Sequence, residues 1–190
     1  MSGLVFFGVR VVGAFVKFRM RAYVFCLSLS GWLVYGRDMA KLPSPVFPQP
    51  QLVSSTKDLA AALEPFHAER FVTVDTEFMR ERTYWPELCL VQIGGAQSVV
   101  LIDALAEGLD LTPLAELMAD ASVLKVFHAA RQDLEIFLHE FDALPTPVFD
   151  TQVAAMVAGF GDQVGYDSLV GSLTGHMIDK SHRVTDWSAR

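Results

Sequence analysis

Apolar and polar residues change rhythm several times along the chain, and each change marks an element. Ser55-Thr56-Lys57-Asp58 precedes apolar positions at Leu59, Ala62, Leu63 and Phe66, a helical period behind a capping serine. Residues 71–78 are dense in β-branched and aromatic side chains and read as a strand. Residues 87–93, closed by Gly94-Gly95, and residues 98–102 read as two more strands joined in a hairpin. The helical period returns over 111–118, and 123–127 is a short buried strand. Residues 131–141 predict a helix with Leu134, Phe137, Leu138 and Phe141 on one side. Another segment starts at Phe149, with Asp150 a candidate cap for a helix running to Ala158, and 168–173 is a last short helix before Gly175. Three consecutive strands, then strands separated by helices, predict an α/β fold with a mixed sheet flanked by helices.

The N-terminal part does not share this pattern. Its apolar runs are broken by Arg10, Lys17, Arg19, Arg21 and Arg37, and none reaches the roughly 20 residues needed to span a bilayer. No cleavage site of the signal-peptide kind follows them. Three readings stay open for residues 1–38: an over-extended start with Met39 as the true beginning, a membrane-surface or signal-anchor segment, and a packed extension. A Pro-rich lead-in over 41–51 completes an N-terminal extension of residues 1–51, spurious or disordered, ahead of a domain expected over 52–190.

Charge sharpens the division. Residues 1–38 carry those five basic side chains against Asp38, so removing +4 from the formal −7 leaves −11 for the remainder. An acidic body argues against binding nucleic acid by bulk electrostatics, but not against gripping phosphates locally through metal ions. Cys26 and Cys89 form neither a disulfide framework nor a zinc pattern, so a reducing compartment, the cytoplasm, is expected.

The candidate chemistry lies at Asp75-Thr76-Glu77. On a strand, residues two apart share a face, so both carboxylates project from the same side of the sheet. They repel each other unless a positive charge sits between them, and a divalent cation fits. The bland alternative is a strand end with solvated acids. Asp133-Leu134-Glu135 has the same spacing, but on a helix its two acids diverge. Asp133 itself would lie in the first turn of that helix, where free amides favour an anion.

Residues Phe71–Met79 followed by Thr83-Tyr84-Trp85-Pro86 and 87–93 closely resemble the first exonuclease motif of the ribonuclease D family, one of the DEDD 3′-5′ exonucleases. Residues 126–137 resemble the second motif. Phe149-Asp150-Thr151-Gln152 and Lys180-Ser181-His182-Arg183-Val184-Thr185-Asp186-Trp187 look like later landmarks in the same order. The resemblance implies a ribonuclease H-like fold and two-metal hydrolysis of RNA 3′ ends to nucleoside 5′-monophosphates, typically of tRNA precursors. It implies that Asp75 bridges two Mg²⁺ or Mn²⁺ ions, that Glu77 binds the one carrying the attacking water, and that Asp133 holds the other largely through water.

The family's third motif, a tyrosine followed four residues later by an aspartate, would come after Trp187, whereas the chain given ends at Arg190. The expectation is therefore a domain lacking its last helix and its fourth metal-binding carboxylate. His182 and Asp186 are similar to the histidine variant of that motif but have three residues between them instead of four. Tyr84 and Trp85 are candidates to stack on bases, Gln92 to face the terminal nucleotide, and Arg131, with Arg80 and Arg82, to meet phosphates. Phe78 is expected in the core and His128 as a satisfied core histidine. A catalytically inactive nucleic-acid-binding fragment and a DNA 3′-5′ exonuclease stay open beside the exoribonuclease.

Overall fold

The computed structural model describes residues 49–80, 84–175, 177 and 178. The expectations for residues 1–48, for Arg82 and for Lys180 onward, His182 and Asp186 included, lie outside the described residues. Among the described residues, six strands form one sheet: β1 (Pro50–Val53), β2 (Phe71–Met79), β3 (Glu87–Gly94), β4 (Val99–Asp103), β5 (Leu124–Phe127) and β6 (Val148–Asp150), in the order β1-β4-β3-β2-β5-β6. The neighbours β4, β3 and β2 run antiparallel, while β1 on β4, β5 on β2 and β6 on β5 are parallel. Among the described residues, five α-helices flank the sheet: α1 (Thr56–Leu63), α2 (Thr112–Ala119), α3 (Arg131–Phe141), α4 (Thr151–Val157) and α5 (Tyr166–Thr174).

The main core lies on one face of the sheet. Val72 and Val74 of β2, Val91 and Ile93 of β3, and Val100 and Ile102 of β4 meet Leu59 and Leu63 of α1, Leu114 and Leu117 of α2, and Ile136 and Phe137 of α3. Alternation along the strands therefore turns Thr73, Asp75, Leu90 and Gln92 to the opposite face. α1 starts as expected: the Ser55 hydroxyl accepts from the Asp58 N–H, and a 3₁₀ turn (Glu64–Ala68) with Pro65 ends the helix and seats Phe66 in the core.

Three expectations change. Pro50 and Gln51 of the lead-in pair with Val99 and Val100, because a proline fits the first residue of an edge strand. The three-residue β6 precedes the helix that Asp150 caps, a strand too short for its own pattern to announce. On α3, Ile136 rather than Leu138 faces inward; Leu138 is 48% exposed. Lys125 lies buried in β5 and donates from Nζ to the carbonyls of Asp120, Val123 and Thr146 at 2.6–2.7 Å. Phe78 packs against the core, Cys89 is buried, and no helix among the described residues is long and apolar enough to cross a membrane.

Candidate active site

The site forms where β2 outruns its neighbour. β5 pairs only with residues 71–73 of β2, so the edge of β2 beyond Thr73 is open to the start of α3. There the N–H of Thr76 and its hydroxyl both donate to Asp133 Oδ1, at 3.2 and 2.5 Å. Asp133 is buried, held by a strand 57 residues away in the chain. Asp75 and Glu77 flank Thr76 and are half-buried. A register shift between Glu77 and Phe78 marks a bulge, which turns the strand end beside the acids.

The three carboxylates form one electrostatic cluster. Burial, then the charge of Asp133, pushes the Asp75 carboxyl up to about 7. Burial, then Asp75 and Asp133, pushes Glu77 up to about 8. Burial raises Asp133 to about 6, against the downward pull of the Thr76 hydroxyl and N–H. None of the three has a Lys, Arg or His partner among the described residues. Among the described residues no group of three or more His, Cys, Asp or Glu side chains is drawn close enough to hold a metal ion. The donor set nevertheless fits hard divalent cations: all oxygen, all acidic, raised chiefly by burial, and without a basic partner among the described residues.

The expected site residues divide. Asp75 and Glu77 share one strand and feel the charge of Asp133, although the three are not drawn together closely enough to hold an ion. Gln92 stands opposite Asp75 in the β2–β3 register and donates from Nε2 to Asp75 Oδ2 at 3.3 Å. It is 1% exposed, so it lies behind the carboxylate rather than on an open surface. Tyr84 is 93% and Trp85 52% exposed; the rings meet edge-on, and Trp85 stacks on His139 of α3 with centroids 4.9 Å apart. Arg131 and Arg80 both reach the Glu135 carboxylate, at 3.3 and 3.0 Å, and Glu135 is thereby held below its ordinary range.

Four further residues shape the site. Asp150 accepts from the N–H groups of Ala129, Ala130 and Gln152 at 2.7–3.0 Å, so it caps α4 and also fixes the turn that starts α3. Ala129 in that turn has φ 58°, a left-handed conformation that alanine adopts only when held. His128 meets the Thr151 hydroxyl at 2.9 Å and the Val164 carbonyl at 3.1 Å, and its ring faces Tyr166 edge-on. Burial, then the charge of Asp75, holds the Tyr166 phenol well above its ordinary range. Thr76 and Tyr166 carried no signal in the sequence, because their roles depend on contacts made across the fold.

A mixed sheet with an acidic strand, answered by an acid at a helix start, defines a class that sequence comparison makes explicit. Residues 50–190 match the family model described as 3′-5′ exonuclease, and the chain belongs to that family. Its relatives carry the name ribonuclease D. The chain is similar to ribonuclease D of Acidiphilium cryptum, 68% identical over 148 residues, which are 78% of this chain and 38% of the relative. It is 65% identical over 144 residues to ribonuclease D of Granulibacter bethesdensis, covering 76% of this chain and 36% of the relative. In structure it is similar to Escherichia coli RNase D, described as an exoribonuclease involved in structured RNA processing. The TM-score is 0.70 at 39% identity, over 74% of this chain and 37% of that one. The chain thus spans less than two fifths of the length of these relatives.

Proposed function

We propose that this chain carries the catalytic acids of a 3′-5′ exoribonuclease that removes nucleoside 5′-monophosphates from RNA 3′ ends, tRNA precursors among them, in the cytoplasm. The observation that carries this reading is that Asp75, Glu77 and Asp133, all raised by burial and without a basic partner among the described residues, lie where Asp75 and Glu77 feel the charge of Asp133, in a chain of the 3′-5′ exonuclease family. Asp75 and Glu77 would hold two Mg²⁺ or Mn²⁺ ions, with Asp133 completing the set. When bound, such ions supply charge stabilisation to the attacking and leaving oxygens of a phosphodiester.

The chain's own residues do the rest. Thr76 aims Asp133, and Asp150 fixes the helix start that carries it. Exposed Tyr84 and Trp85 offer rings for bases, a contact worth about 1–3 kcal/mol each. Arg80 and Arg131, joined through Glu135, place guanidinium charge beside that path for phosphates.

The test is a side-by-side assay of matched RNA and DNA oligonucleotides labelled at the 5′ end, with this chain and with one extended through a Tyr-x-x-x-Asp motif. The expected result is stepwise shortening from the RNA 3′ end in Mg²⁺ or Mn²⁺ and none in EDTA. Strong preference for DNA would move the assignment to a DNA exonuclease. Binding of RNA without hydrolysis by either form would make this a catalytically inactive nucleic-acid-binding protein.

A further inference from the structure

Gln92 approaches Asp75 from the neighbouring strand. It stands in β3 among Leu90, Val91 and Ile93, directly opposite Asp75 and beside Leu101 of β4. Its Nε2 donates to Asp75 Oδ2 at 3.3 Å. Its other half is unsatisfied: Oε1 is buried and accepts from no donor among the described residues. A buried amide oxygen without a donor costs on the order of 1–3 kcal/mol, and an apolar side chain of the kind on either side would avoid that cost. Packing therefore does not account for a glutamine here. What the amide contributes is the donor on Asp75.

An amide donor beside a carboxylate fixes its rotamer without neutralising it. A lysine or arginine in the same place would cancel the negative charge that a cation needs. A hydrophobic residue would leave the carboxylate free to turn away from Glu77 and Asp133, which repel it. We propose that Gln92 is the positioning residue of the cation site, holding the Asp75 carboxylate toward the space it shares with Glu77 and Asp133. This inference rests on the divalent-ion reading of the cluster and adds to it the residue that orients the shared acid.

The test is direct Mn²⁺ titration of the 190-residue chain at pH 8, read by the electron paramagnetic resonance signal of the free ion, together with the melting temperature without ions. In Gln92→Met the apparent Mn²⁺ affinity is expected to fall about 10–100-fold, the range for losing a group that orients a ligand. The ion-free melting temperature is expected to stay level or rise, since the unsatisfied oxygen is gone. Unchanged Mn²⁺ affinity in Gln92→Met overturns the proposal and leaves Gln92 a sheet residue. If Gln92→Met does not fold, Gln92→Asn decides, because it keeps the amide but withdraws it from Asp75: a loss of Mn²⁺ affinity supports the proposal, and wild-type affinity overturns it. Failure of the unaltered chain to bind Mn²⁺ would instead overturn the metal reading itself, and this inference with it.

Discussion

Thr76 and Asp133 are joined twice: the hydroxyl and the N–H of Thr76 both donate to one oxygen of Asp133, at 2.5 and 3.2 Å. The strand that carries Asp75 and Glu77 thereby aims the third acid through the residue between them. Thr76→Val keeps the β-branched shape and removes only the hydroxyl. Asp133 then loses its shortest bond and titrates higher still. The expected cost is about 1–3 kcal/mol at pH 8, where the carboxylate is charged, and less at pH 5. Denaturant midpoints at the two pH values measure it, and equal losses at both would show that the bond does not serve the charged form.

The three raised acids fix the sign of the pH dependence. A carboxyl that titrates higher folded than unfolded binds its proton more tightly in the folded state. Between the unfolded values near 4 and the folded values of about 6, 7 and 8, the native protein holds more protons, so stability falls as pH rises. The cost is absent below pH 4 and fully present above pH 8. Without divalent ions, the melting temperature is expected to drop from pH 5 to pH 8. With Mg²⁺ or Mn²⁺, which take the ionised form, the gain in melting temperature is expected to grow over the same window. An ion effect equal at pH 5 and pH 8 would mean that the ions bind elsewhere.

Much of this arrangement was legible in the chain, for a local reason. The Asp75–Glu77 spacing and the β-branched run that precedes it lie within nine residues of one strand, so period-two alternation alone places both acids on one face. The Ser55 and Asp150 caps were legible in the same way, since each bonds an N–H two or three residues on. What stayed hidden depends on partners far along the chain. β1 forms because Val99–Asp103 offers it an edge, and Lys125 is satisfied by carbonyls of two different loops. Gln92 was legible only as a candidate to face the terminal nucleotide; its burial follows from the β2–β3 register, set by the whole hairpin.

Asp150 joins the two helices that flank β6. One of its oxygens accepts from Ala129 and Gln152 and the other from Ala130, so a single side chain caps α4 and secures the left-handed turn before α3. Asp150→Ala is expected to cost about 2–4 kcal/mol, combining a lost cap with an amide of buried Ala130 left unpaired. Asp150→Asn keeps an acceptor for α4 and is expected to cost about half as much. Because Asp133 rides on the turn, amide hydrogen exchange at residues 129–133 should quicken in Asp150→Ala more than in β3. Uniform quickening would indicate general destabilisation and no special hold on α3.

Asp75→Asn separates the chemistry of the site from its contribution to stability. Asparagine keeps the size of aspartate and an oxygen to accept from Gln92 Nε2, but it carries no charge to repel Glu77 and Asp133. Without divalent ions at pH 8, where Asp75 is largely ionised, the variant is expected to melt at the same temperature as the parent or slightly above it. At pH 5 Asp75 is already protonated, and the gain should vanish. In a form that hydrolyses RNA, the same substitution is expected to lower turnover by on the order of 10²–10³-fold or more, the scale of losing one preorganised contact to a developing charge. The ion-dependent rise in melting temperature should disappear with it. A variant that keeps parental turnover would remove Asp75 from the reaction, whatever its effect on melting.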